Sequence, residues 1–215
     1  MSDVGVKARR RGGVANNMPV DLQANEFDEL LISMGLPPYA EITRQGDGWT
    51  VQTATLFAPA AAYPTTTARL ELFNNTQDKV MVVSDLFAAQ VLSTAATQTY
   101  AIGAMVSTKK AAPTNTALLV ASLSGKDAYT TTAGSPLITG IDTTVVANGW
   151  RPWGPPQAWG TAAATPGNAW SVPVEGKLLV PPGRSLCIIP FGSIATASSF
   201  QCGATIYWAK LSVVS

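Results

Sequence analysis

Gly176-Lys-Leu-Leu-Val-Pro-Pro-Gly-Arg-Ser-Leu-Cys-Ile-Ile-Pro190 is the stretch whose reading decides the fold. Two apolar runs, Leu178–Val180 and Leu186–Ile189, flank Pro181-Pro182-Gly183-Arg184. Proline at the second turn position presets φ, and glycine at the third supplies the positive φ of a type II turn. The pattern predicts strand, tight corner, strand, that is, a β-hairpin. Both runs are apolar on consecutive residues, so the hairpin is expected to be covered on both faces, by a second sheet or by another subunit.

Outward from this stretch the chain reads as strands punctuated by Gly, Pro, Asn and Thr. Phe200, Cys202, Ala204, Ile206 and Trp208 alternate with Gln201, Thr205 and Tyr207, the cleanest period-two run in the sequence. Trp49–Phe57, Arg69–Phe73, Lys79–Phe87, Thr99–Val106, Thr116–Leu123 and Leu137–Val146 supply further candidates. With eight or nine strands and no helical segment between them, βαβ crossovers are excluded and the sheets must be mainly antiparallel. Connectors of very uneven length suit Greek-key connections better than an up-and-down barrel. The expected fold is therefore all-β: an antiparallel, jelly-roll-like β-sandwich over residues 47–215.

Residues 1–20 combine Lys7, Arg9, Arg10 and Arg11 with glycines, asparagines and few apolar groups, which predicts a flexible basic arm. The remaining ten basic and twelve acidic side chains leave the body near −2. Such a tail is suited to nucleic acid or to an acidic patch on a partner. Residues 21–46 read as a helix followed by a linker. Asn25 can cap a helix through Met34, with Glu26, Asp28 and Glu29 in its first turn and Phe27, Leu30, Leu31 and Met34 on one stripe. Gly35 and Pro37-Pro38 end it.

Ala147–Val172 reads as the longest connector, and it holds four of the six tryptophans. Trp150, Trp153, Trp159 and Trp170 lie there among Pro152, Pro155, Pro156 and Pro166. Three readings stay open: a loop folded back on its own sandwich, an anchor at a subunit interface, or indole faces that stack on sugar rings.

Composition narrows the chemistry. The 215 residues include no histidine, which removes histidine bases, Ser-His and Cys-His pairs and most zinc sites. Cys187 and Cys202 fit no metal spacing, and two buried free thiols are expected rather than a disulfide. No phosphate-binding glycine motif is present, and carboxylates are scattered along the β-region with no couple singled out. The expectation is a non-enzymatic protein with no cofactor and no metal. No apolar run reaches membrane-span length and Met1–Gly13 lacks the apolar core of a signal peptide, so synthesis in the cytoplasm is expected. Only 13% of residues are charged, about half the usual share, which fits either a Thr- and Ser-rich surface or one covered by neighbours.

The basic arm Lys7–Arg11, the helix Asn25–Met34 and the strand punctuation Val180-Pro181-Pro182-Gly183 together resemble jelly-roll structural proteins of viruses and tailed phages. That resemblance implies a virion component, a head decoration (cement) or minor capsid protein, which binds copies of itself in a trimer and other virion proteins. Two alternatives accompany it: a receptor- or glycan-binding tip of a tail fibre, and a genome-enclosing coat whose arm neutralises phosphate.

Overall fold

The computed structural model describes residues 39–61, 66–93, 98–108, 111–114, 118–125, 135–146, 149–159, 169–192 and 198–209. The chain divides into residues 1–38 and 39–215, and all the described residues belong to the second unit. The expected basic arm and the helix Asn25–Met34 lie outside the described residues.

Among the described residues, one short helix and eleven strands run in this order: α1 (Ala40–Gln45), β1 (Gly48–Gln52), β2 (Thr67–Asn74), β3 (Val80–Ser93), β4 (Gln98–Ser107), β5 (Leu119–Ser122), β6 (Leu137–Thr144), β7 (Arg151–Trp159), β8 (Ala169–Pro173), β9 (Leu179–Val180), β10 (Ser185–Gly192) and β11 (Ser198–Ala209). The strands form two sheets stacked as a sandwich. The first runs β5-β1-β11-β3-β8, with β9 also paired to β3; the second runs β6-β2-β10-β4-β7. Every pairing between these strands is antiparallel.

Alternation places one face of each strand in a shared interior. Leu70, Leu72, Ile102, Leu186 and Ile188 from the second sheet meet Val51, Met81, Leu86, Phe200 and Ile206 from the first. The Tyr100 ring meets Phe200 edge-on at 4.6 Å and ties the two layers together. Burial of each such side chain contributes about 1.5–3 kcal/mol. On β3 the buried positions shift phase, from Met81 and Val83 to Leu86 and Ala88. The register with β11 slips between Thr205 and Ile206, so Ser84 bulges and the following side chains change face.

The Pro181–Arg184 corner has the expected turn chemistry but not the expected partners. Arg184 N–H donates to Pro181 O at 3.2 Å, and Gly183 has φ 71°, the type II geometry. The flanking strands, however, do not pair with each other. Leu179 and Val180 pair with Val82 and Met81 in the first sheet, whereas β10 lies between β2 and β4 in the second. The corner carries the chain from one layer to the other, because β10 is flanked on both sides and has no edge to offer β9. Coverage of both faces has a local source. Leu186 and Ile188 enter the interior, while Cys187 and Ile189 pack outside against Ala68, Met105, Val145 and Trp150.

Two further elements replace expected irregular chain. Ala147–Val172 is not a single connector: it contains β7 and the start of β8. Both are edge strands, where Pro152, Pro155 and Pro156 interrupt no central ladder. The expected linker before residue 47 contains α1, closed by Gly46 at φ 84°. Gly46 N–H donates to Thr43 O and Asp47 N–H to Ile42 O, a Schellman closure. Tyr39, just before α1, stacks on Tyr207 of β11 at 4.7 Å.

Candidate functional site

The basic residues Lys7, Arg9, Arg10 and Arg11 lie outside the described residues. Of the four tryptophans of the expected loop, the three whose side chains are described do not form one surface. Trp150, 8% exposed, covers the outer face of the second sheet beside Met105 and Cys187. Trp153 on β7 stands opposite Ile102 of β4 and packs against the interior, as does Trp170 on β8 of the other sheet. Trp170 meets Phe200 edge-on at 6.5 Å. Trp159 ends β7 opposite Gln98, and its side chain is outside the described set. Gly154, between these tryptophans, has φ 70°, and a Cβ there would come within 2.8 Å of Val172 on β8. That glycine lets the two edge strands approach at the side of the sandwich.

Near β7 the outer face of the second sheet carries an apolar groove of about 590 Å³. Ala101 and Phe191 line it together with Pro152 and Pro156. Those prolines also blunt the open edge of β7, since they offer no N–H to an incoming strand.

The opposite chemistry gathers at the end of the sandwich where the chain leaves β2. Asn74 is fully buried there, and its side chain is saturated. Its amide donates to Lys79 O and Val180 O, each at 2.8 Å, and its carbonyl accepts from Thr76 N–H and Thr76 Oγ1. The Asn74-Asn75-Thr76 glycosylation pattern is thus occupied by internal bonding. Asn75 donates in turn to Ser135 O and, through its backbone, to Pro136 O.

Against this turn lies a pocket of about 380 Å³ that carries two indoles, Trp49 and Trp208. Trp49 is opposite Ile206, and the backbone N–H of Trp208 donates to Asp47 O, so the two indoles are diagonal neighbours on one face of the β1–β11 pair. Diagonal neighbours sit about 7–8 Å apart, within reach of aromatic side chains. Asp47, Asp78, Lys79 and Thr76 supply the polar wall. Lys79 Nζ lies 3.0 Å from Asp47 Oδ1, with both side chains about one-third exposed. The pocket does not show in the sequence, because its two tryptophans belong to the first and last strands. The one usable signal is Trp208, aligned with Phe200 and Ile206 at the end of the cleanest strand.

Several other reactive groups among the described residues are engaged in structure. Cys187 and Cys202 form no disulfide, and both are buried, on different sheets. Burial pushes the Cys202 thiol far above the ordinary thiol range, against a smaller opposing pull from Arg69. It is therefore protonated and unreactive in the folded protein. Glu71 is completely buried and accepts the Ser185 hydroxyl at 2.7 Å. Asp85 accepts from Thr205 Oγ1 at 3.0 Å, and Asp142 pairs with Arg69. Among the described residues no group of three or more His, Cys, Asp or Glu side chains could hold a metal ion. No helix among them is long and apolar enough to cross a membrane. No protein family, curated protein or solved structure compared with this chain matches it significantly.

Proposed function

We propose that this chain is a non-enzymatic virion structural protein, of the phage head decoration or minor capsid kind, built on a jelly roll. One observation carries the fold: the pairing is nested. β1 pairs with β11, β2 with β10, β3 with β8 and β4 with β7, and successive pairs alternate between the two sheets. A jelly roll is one long antiparallel hairpin wrapped so that its strand pairs alternate in this way. β5 and β6 both come from the segment between β4 and β7, and they widen the sheets beyond β1 and β2.

Fold alone does not give function, since jelly rolls serve capsids, lectins and cupins alike. The sequence weighs toward the first. It has no histidine for cupin-type metal chemistry, few charges, and a basic arm at Lys7–Arg11 that can meet nucleic acid or an acidic partner surface. In this reading the partners are further copies of the chain, in a trimer by analogy with other jelly rolls, and neighbouring proteins of the particle. The location is the virion. Mass spectrometry of purified particles from the source tests it. Hundreds of copies per particle support shell or cement; absence from particles overturns the reading.

A further inference from the structure

We infer that the Trp49–Trp208 pocket is a saccharide-binding site that takes a terminal pyranose ring. The inference stands on the pocket itself and does not depend on the virion assignment. A sugar ring has two demands: an apolar C–H face that stacks on an aromatic plane, and a rim of hydroxyls that need charged or planar hydrogen-bonding groups. The pocket offers both within one concavity: the half-buried indole of Trp49 and the small exposed part of Trp208, which is 6% exposed, on one side, and Asp47, Asp78, Lys79 and Thr76 on the other. Its volume of about 380 Å³ falls at the small end of the range for small-molecule sites, which suits one or two sugar units.

The walls are fixed before any ligand arrives. Asp47 is held by Lys79 at 3.0 Å, and its backbone bonds to both Trp208 and Ile42. Thr76 is held by Asn74 and by Lys79 O. Side chains already tied in place lose little entropy on binding, which favours a weakly interacting neutral ligand. Electrostatics disfavour the main competitor among polar ligands. The ammonium of Lys79 on this wall is already paired with Asp47, which weakens its pull on a phosphate or sulfate.

The test uses the full chain on a glycan array, followed by titration of tryptophan fluorescence with the methyl glycoside of any sugar that scores. Tetramethylammonium and inorganic phosphate serve as comparison probes. The expected result is binding to at least one terminal pyranose. Asp78→Ala should weaken it about tenfold or more, the loss of one hydrogen bond to a charged group, while circular dichroism shows the sandwich still folded. Trp49→Phe, which keeps an aromatic ring in the core, should also weaken it. Trp153→Phe should leave it intact. An empty array overturns the inference. So does sugar binding that survives Asp78→Ala and Trp49→Phe, or an indole response to tetramethylammonium or phosphate but to no sugar. Particle mass spectrometry is unaffected by any of these outcomes, so the two proposals fail separately.

Discussion

The side-chain amide of Asn74 donates to the carbonyl of Val180 at 2.8 Å, across 106 residues of sequence. The same amide holds Lys79 O, and the backbone of Asn74 bonds to Gly183 and Arg184. Asn74 therefore clamps two of the places where the chain crosses between sheets at this end, residues 75–79 and residues 181–184. A buried polar hub of this kind is stable only when every donor and acceptor is used.

Asn74→Asp keeps the volume and the two acceptor bonds but turns the donors into an oxygen that faces two carbonyls. We expect a loss of about 3 kcal/mol or more near neutral pH, since an unsatisfied buried group costs roughly 1–3 kcal/mol and a buried charge adds to it. The penalty should shrink in acid, because a protonated carboxyl recovers one donor. Its folded pKa would be raised, so the protonated form favours the native state below the unfolded value and the advantage is lost as pH rises. Urea midpoints at acid and neutral pH check both statements.

The basic arm should matter to attachment and not to folding. Lys7–Arg11 supply charge and almost no apolar surface, so deletion of residues 1–13 is expected to leave the melting temperature of the domain unchanged. Particle occupancy, measured by quantitative mass spectrometry, should fall, and the deficit against the full chain should narrow at high salt, where charge contacts are screened. Full occupancy after deletion would show that the arm contributes nothing to attachment.

What was legible in the sequence was local. The alternation from Phe200 to Trp208 follows from side-chain period alone, and all five apolar members belong to the interior. The Pro181–Arg184 turn was readable because φ preferences are local too. Its partners were not, because turn chemistry says how a chain bends and not which sheet receives it. β7 was hidden behind Pro152, Pro155 and Pro156, which signal a loop unless the strand is known to be an edge. The Trp49–Trp208 pocket was hidden by distance: it exists only because the first strand pairs with the last.

Trp153 separates packing from polarity. Its indole N–H is buried with no acceptor among the described residues, and its ring packs against the interior. Trp153→Ala should cost about 3–5 kcal/mol through lost contact and a cavity. Trp153→Phe keeps most of the ring and removes the orphan donor, whose burial carries a penalty of roughly 1–3 kcal/mol, so it should be close to neutral. Chemical denaturation of the two variants checks this. Equal damage from both would mean that the N–H has found a partner.

Cys202 gives the fold an alkaline weakness that one substitution should remove. Burial raises its folded pKa far above the value of about 8.5 at which an exposed thiol ionises. Below that value native and unfolded chains both carry the proton, and the thiol makes stability independent of pH. Above it the unfolded chain releases the proton while the native chain keeps it, so the native state loses about 1.4 kcal/mol for each further pH unit. Cys202→Ala removes this term at the cost of a small cavity. The variant should be somewhat less stable at pH 7 and, between about pH 8.5 and 10, should lose less than the parent chain. Urea unfolding across that range measures the difference in slope. Alkylation gives a second readout: iodoacetamide should spare Cys202 in the native protein and modify it once urea has unfolded the chain. Parallel pH slopes for parent and variant, or rapid native alkylation at Cys202, would show that the thiol reaches solvent.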